Sequence, residues 1–435
     1  MSESRISGFY RLELEDRRAL LLDSERLSAG ALASLDPEGG LSPERADKMV
    51  ENCVGVFGLP VGLALNFQIN QRDYLIPMVV EEPSVIAAVS HMALRLRPYG
   101  GFSAEADEGI MIAQIQLVDC PDMDSAEAAI RAEEAALLAT ADALHPSLRS
   151  RGGGARALEL RRFEAPYPML VVHLLVDCLD AMGANAVNGM AEGLAPRLAA
   201  LSGGRVWLRI LSNLADRRLA RARCALPEEA LRSKAGMSGA EVAEGIVQAW
   251  RLAEIDPYRA ATHNKGIMNG VDAVAIATGN DWRGVEAGAH AYAARSGQYR
   301  SLTRWWREAG CLHGELELPL AVGTVGGSTG VHPTVRGLRE LLSVESAREL
   351  AMVMASVGLA QNMGALHALA SEGIQRGHMS LHARSLALAA GAESAREVDQ
   401  IAAELVARGE VKASVAEALL TALRAGGEGA LGEQP

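Results

Sequence analysis

Apolar residues along this chain follow two different periods. Over long stretches they recur every three to four positions, most clearly at Val242, Ile246, Ala249, Trp250 and Ala253, which predicts a helix with one core-facing stripe. Ser238-Gly-Ala-Glu241 precedes that stripe as a capping box, in which serine and glutamate satisfy the N–H groups left unpaired at a helix start. The same signature at Ser346–Glu349, Ser394–Glu397 and Ser414–Glu417 predicts three later starts. After Ser394, the residues Val398, Ile401 and Leu405 form another single stripe, which reads as packing and not as chemistry.

The middle of the chain reads differently. Ile110–Val118, Met169–Asp177 and Arg205–Ile210 are short apolar runs rich in β-branched residues, and they predict strands. An alanine-rich helix is expected over Ser125–Leu144 and another over Ala186–Leu201. Strands alternating with helices imply a compact α/β unit, with edges near Gly100-Gly101 and Ala220, inserted into a mostly helical chain. There is no internal repeat, and only Arg424–Pro435 reads as a frayed tail.

Bulk properties narrow the function. With 435 residues, 49% apolar and 22% charged, the chain can bury two or three domain cores. A net charge of -12 argues against binding nucleic acid or an anionic membrane, since it repels phosphates. Five scattered cysteines without a C-x-x-C pair fit a reducing compartment. Met1–Arg18 is polar and lacks the apolar centre of a signal peptide, and no run of about 18 uncharged apolar residues occurs. A cytoplasmic protein with no membrane partner is expected.

The densest chemistry lies in Asp256–Gly270, where Arg259, His263, Asn264, Lys265 and Asn269 crowd among glycines. Such a lysine suits an anionic or polarised substrate better than a solvated helix face. Val79-Val-Glu-Glu-Pro-Ser84 ends an apolar run with two carboxylates, read either as a general acid poorly solvated at a strand end or as capping acids. His378 and His382 share a helix face at i and i+4. Met379 stands where H-E-x-x-H needs glutamate and no third ligand is apparent, so no metal is expected. Asp180-Ala-Met-Gly-Ala-Asn185 lies between a strand and a helix, where glycine serves either a phosphate at the helix N-terminus or a tight turn. No G-x-G-x-x-G or G-x-x-x-x-G-K-[ST] is present.

Taken together with Glu51-Asn52, Asn66–Asn70, Leu211–Asp216, Gly279–Trp282 and Glu372–Met379, these segments resemble class II (bacterial, soluble) 3-hydroxy-3-methylglutaryl-CoA (HMG-CoA) reductase, in the expected order along nearly the whole chain. The resemblance implies an α+β fold. Its large, mostly helical domain (1–107 and 220–373) binds HMG-CoA, an inserted ferredoxin-like domain (108–219) binds the dinucleotide, and a helical flap (374–435) closes. It implies reduction of HMG-CoA to mevalonate and free CoA by two nicotinamide equivalents, or the reverse, in a homo-oligomer built from dimers with shared active sites.

In that scheme Lys265 stabilises the oxyanion, Glu82 exchanges a proton with the carbonyl oxygen, Asp281 couples to both, and His378 protonates the departing CoA thiolate. Ser84, Arg259 and Asn269 match substrate-holding positions, with Arg259 the carboxylate clamp. The dinucleotide is assigned to Asp180, Met182, Gly183, Ala184, Asn185 and Asn213, together with Asp142. Asp142 favours NAD by accepting from a ribose hydroxyl, while Arg149 and Arg151 favour NADP. The balance leans to NAD and so to mevalonate catabolism. Two alternatives remain: a CoA-thioester hydrolase or lyase using Glu82 and His378, and a non-catalytic acyl-CoA-binding protein.

Overall fold

The structure is a computed structural model that describes residues 4–232, 236–371 and 374–426, and the side chains within them other than those at 328–329, 372–381 and 426. Three short helices, α1 (Leu14–Asp23), α2 (Ala29–Ala33) and α3 (Pro43–Ala46), lead into a hairpin of β1 (Val61–Ile69) and β2 (Arg72–Val79). The last six residues of β2 are all buried, so this strand reads as a continuous apolar run with no alternation. Its end delivers Glu82 to the surface before α4 (Val85–Leu96) and β3 (Ser103–Ala106).

The inserted unit follows. It consists of β4 (Ile110–Val118), α5 (Met123–Ala132), α6 (Glu134–Leu144), α7 (Pro146–Ser150), β5 (Gly154–Phe163), β6 (Met169–Asp177), α8 (Ala184–Ser202) and β7 (Arg205–Leu211). Its sheet order is β5-β6-β4-β7 with every neighbour antiparallel, and the helices pack on that sheet around a core of their own. Two expectations need correction here. The single helix over 125–144 is broken at Glu133, whose carboxylate holds Arg197 of α8. Strand β5 has no apolar run of its own, because Glu159, Arg161 and Arg162 interrupt the pattern, as an edge strand tolerates.

The chain then returns through β8 (Leu219–Pro227), α9 (Gly239–Ile255), α10 (Pro257–Ala277), α11 (Trp282–Ala293), β9 (Thr303–Glu308), β10 (Cys311–Pro319), α12 (Pro333–Leu342) and α13 (Ala347–Ala370). The sheet β3-β8-β10-β9 thus joins strands from both sides of the insertion. Helix α13 is apolar nearly all round and runs through the middle of the largest core, with Met354, Ala355, Val357, Leu359 and Ala360 wholly buried. Gly270 of α10 lets that helix close on α13, because a Cβ there would sit 3.1 Å from Gln361 Cβ and 3.2 Å from the Val357 carbonyl oxygen.

Helices α14 (Ile374–Ala389), α15 (Ala395–Arg408) and α16 (Ala413–Gly426) pack around a third core. The capping boxes at Ser238 and Ser394 form in full. At Ser346 only the serine half forms, since Glu349 turns to Glu345 N, Arg72 and Tyr74 instead. Ser414 lies inside α16, one residue past its start, so no box forms there. Arg424 also belongs to α16, with its guanidinium on Glu397 at 2.9 Å, whereas the rest of the expected tail, 427–435, lies outside the described residues.

Candidate active site

The polar run is helical. Asp256 caps α10 by accepting from Tyr258 N at 3.0 Å, and Pro257 occupies the first helical position. The helical period then sorts the run onto two faces. His263 and Asn264 point into the core, where His263 Nε2 lies 2.7 Å from Thr303 Oγ1 and Asn264 holds the segment leading into β9 through Arg300 O and Leu302 N. Burial, aided by the Arg259 charge, pushes the His263 imidazole down to about 3, so it stays neutral and supports the fold. Lys265 and Asn269, at i and i+4, share the opposite face.

That face meets Glu82. Lys265 Nζ donates to Glu82 Oε2 at 2.8 Å and Asn269 Nδ2 donates to the same oxygen at 3.3 Å. The lysine is on a helix face after all and 59% exposed, and Glu82 keeps 36% exposure instead of being desolvated at the strand end. Ser84, at the start of α4, holds φ +78° without a side-chain cap, a left-handed conformation costing about 1–3 kcal/mol that sets the direction of the Glu82 turn. Glu82 and Ser84 open onto a largely apolar cavity of about 760 Å³, to which Leu63, Ile86 and Leu94 contribute.

A carboxyl pair stands behind this pair of charges. Asp272 falls two turns beyond Lys265 on the same face of α10 and bonds to Glu286 of α11; the imidazole of His290 also holds Glu286, and His290 Nδ1 lies 2.7 Å from the Tyr299 hydroxyl. Burial, then the bond to Glu286, pushes Asp272 up to about 9, while the His290 bond pulls Glu286 down. One proton is therefore shared and rests on Asp272. The unfolded chain loses that proton near its ordinary value of 3.8, so wild-type stability falls as pH rises from there toward 9. Asp272→Asn removes this dependence. The Tm of the variant relative to wild type is expected to climb from pH 5 to pH 9, and a constant difference would show that Asp272 is ionised in the fold. Its only trace in the sequence is an aspartate within the apolar run Val271–Ala277.

Five of the other named residues, Met182, Gly183, Ala184, Asn185 and Asp281, line a second cavity of about 640 Å³, between the 181–186 turn, the 279–281 corner and the 323–327 loop. Gly183 caps α8 at φ +99°, where a Cβ would lie 2.2 Å from Cys178 Sγ, so only glycine fits. With no side chain capping α8, the N–H groups at its start are left to a ligand or water. Met182, Ala184 and Asn185 line this cavity.

Asp281 lines it too, capping α11 through Gly284 N at 3.2 Å and pairing with Arg283 at 3.5 Å. Among the described residues Asp281 has no bond to Lys265 or Glu82. Asp180 spends one carboxylate oxygen on Ala347 N at the start of α13, and Asn213 sits against Gly284 and Gly288 of α11. Asp142 is 17% exposed, accepts from Ala155 N at 2.7 Å and pairs with Arg149 at 3.3 Å. Arg259 is half-buried and has no carboxylate partner among the described residues. The side chain of His378 lies outside the described residues.

A sequence model of hydroxymethylglutaryl-coenzyme A reductase matches residues 13–383. The chain belongs to the HMG-CoA reductase family. It is 46% identical over 423 residues to the 3-hydroxy-3-methylglutaryl-coenzyme A reductase of Archaeoglobus fulgidus, covering 97% of this chain and 95% of that one. A probable HMG-CoA reductase of Borreliella burgdorferi is 33% identical over 348 residues, or 78% and 77% of the two chains. Among solved structures, the HMG-CoA reductase of Streptococcus pneumoniae superposes with a TM-score of 0.82 at 43% identity, over 96% of this chain and 99% of that chain. A class II HMG-CoA reductase from the same organism, bound to NADPH in open conformations, gives 0.81 at 44% identity over 83% and 99%. The likeness places this chain in class II of the HMG-CoA reductase family. No helix among the described residues is long and apolar enough to cross a membrane.

Proposed function

We propose that the protein interconverts HMG-CoA and mevalonate plus free CoA, using two equivalents of a nicotinamide cofactor. The Lys265–Glu82–Asn269 cluster, whose Glu82 also lines an apolar cavity, is the observation that carries this reading. A thioester carbonyl placed there puts its oxygen within reach of one ammonium and one carboxyl group. The uncapped start of α8 and the glycine at 183 suit a pyrophosphate in the second cavity.

When bound, the dinucleotide supplies hydride to the carbonyl carbon. Lys265 holds the oxygen as it gains negative charge, and Glu82 provides the proton that neutralises it. The product of the first reduction is a hemithioacetal; when its C–S bond breaks, the hydroxyl proton returns to Glu82, the aldehyde forms and CoA leaves as a thiolate, which His378 protonates. The same Lys265–Glu82 pair then serves the second reduction. Arg259, whose guanidinium is half-buried without an acid partner among the described residues, would pair with the carboxylate of the substrate, and Ser84 and Asn269 would orient it. Asp281 would bridge the two cavities electrostatically, since it belongs to the wall of the second.

An assembly of dimers with shared sites accompanies this reading. The segment leading into Pro60, at the edge of the acyl cavity, leaves Val54 and Phe57 exposed, and apolar surface of that kind is what a second copy covers. For the dinucleotide, Asp142 favours NAD and hence the direction of mevalonate oxidation, but its carboxylate already serves Ala155 and Arg149. Rates measured with each cofactor in both directions test the whole reading. Oxidation of NADH or NADPH on adding HMG-CoA, two per CoA released, is expected, with NADH the faster. Steady CoA release without nicotinamide oxidation would make the protein a thioester hydrolase. Faster NADPH turnover would shift selection from Asp142 to Arg149 and Arg151.

A further inference from the structure

Arg218 is 5% exposed, and no carboxylate among the described residues bonds to it. The nearby acids are committed elsewhere, Asp177 to Arg156 at 2.7 Å and Asp180 to Ala347 N at 2.8 Å. The guanidinium spends its donors on main-chain carbonyls from two separate segments. Nη1 donates to Ala181 O at 3.1 Å and, more weakly, to Met182 O at 3.5 Å; Nη2 donates to Val322 O at 2.6 Å and reaches Leu179 O at 3.5 Å. A buried cation is costly to hold unless its bonds are made, so these two segments are tied at a fixed distance.

The two segments form adjoining walls of the second cavity. Immediately beyond the tie, Thr324 N donates to Asp180 O at 2.8 Å, Ala181 and Val325 form an isolated bridge, and a Cβ at Gly323 would lie 2.7 Å from Met182 N. Because C=O and N–H of a trans peptide point in opposite directions, anchoring the Ala181 and Met182 carbonyls also fixes where the N–H groups of Met182 and Gly183 point. The planar fork of arginine can span both walls; the single ammonium of lysine cannot.

We propose that Arg218 is a positioning residue for the dinucleotide: it sets the spacing of the turn at 179–183 from the 322–325 segment, and its buried positive charge adds to the attraction for a pyrophosphate at the start of α8. The proposal rests on the reading of that cavity as the dinucleotide site. It predicts a split between the two substrates that a merely structural role would not produce.

Arg218→Lys is expected to raise the KM for the dinucleotide by about tenfold or more, the value of a lost hydrogen bond to a charged group, while the KM for HMG-CoA stays within about twofold. Arg218→Met should go further in the same direction. Gly323→Ala, which wedges the same contact from the other wall and leaves Arg218 in place, should reproduce the split even if Arg218→Met does not fold. Direct titration with NADH and NADPH, followed by nicotinamide fluorescence, separates the two levels. If the wild type binds neither, the cavity assignment fails. If the wild type binds and Arg218→Lys binds equally well, or if both KM values rise together, Arg218 is structural only and the proposal is overturned.

Discussion

Lys265→Ala is expected to lower kcat for HMG-CoA reduction by at least about 10³-fold, with acyl-CoA affinity changed only a few-fold. Removing a single oxyanion donor from an enzyme site typically costs about 10²–10³, and here the donor carries a full charge. The geometry explains why the loss appears in kcat. The ammonium lies 2.8 Å from Glu82 and is largely exposed, and the proposed mechanism aims it at the carbonyl oxygen and not at the rest of the acyl-CoA. Its value appears when negative charge develops on the carbonyl oxygen in a site closed to water, where the same ammonium is screened far less. Stability should hardly change, because ion pairs this exposed contribute on the order of 1 kcal/mol or less. Measuring kcat, binding of HMG-CoA and Tm on the same preparation tests all three statements. A variant that turns over normally but binds substrate weakly would make the protein an acyl-CoA binder whose lysine only neutralises a carboxylate.

Glu82→Gln is expected to cost about 10²–10⁴ in kcat, the range for losing a positioned proton donor. The amide keeps the shape of the carboxyl group and still accepts from Lys265 and Asn269 through its oxygen, so packing at the end of β2 is undisturbed. What disappears is the exchangeable proton. Because the proposed mechanism has Lys265 and Glu82 act on one oxygen, their losses should not add: the double variant is expected to be little worse than Lys265→Ala alone. Fully multiplicative losses would show that the two residues work at separate steps. Retention of most activity in Glu82→Gln would move the proton-donor role elsewhere and reopen the cavity beside Ser84 as a binding site only.

Much of this was readable in the residues, and the reasons are local. A capping box is satisfied within four residues, so Ser238 and Ser394 declare their helices without tertiary help. The strands Ile110–Val118 and Met169–Asp177 were found at their full extent because buried central strands carry unbroken apolar runs. Edge strand β5, half solvated, had no such run to show. Lys265 and Asn269 lie together by helical spacing alone.

Other features depended on which side of a helix meets what. Within one polar run the sequence could not tell supports from actors; the packing of β9 against α10 turned His263 and Asn264 inward and left Lys265 outward. Glu82 reaches Lys265 across 183 residues, and Asp272 becomes a proton holder because the fold buries it and α11 brings Glu286 to it. Arg218 is one arginine among many until two distant loops spend their carbonyls on it. The sequence by itself determined the family, the helices with their caps and the buried central strands, since each rests on residue chemistry or on neighbours a turn away. Only the tertiary structure decided which groups meet, which stay dry and which protons are shared, because burial and electrostatic coupling act between segments that the chain order keeps far apart.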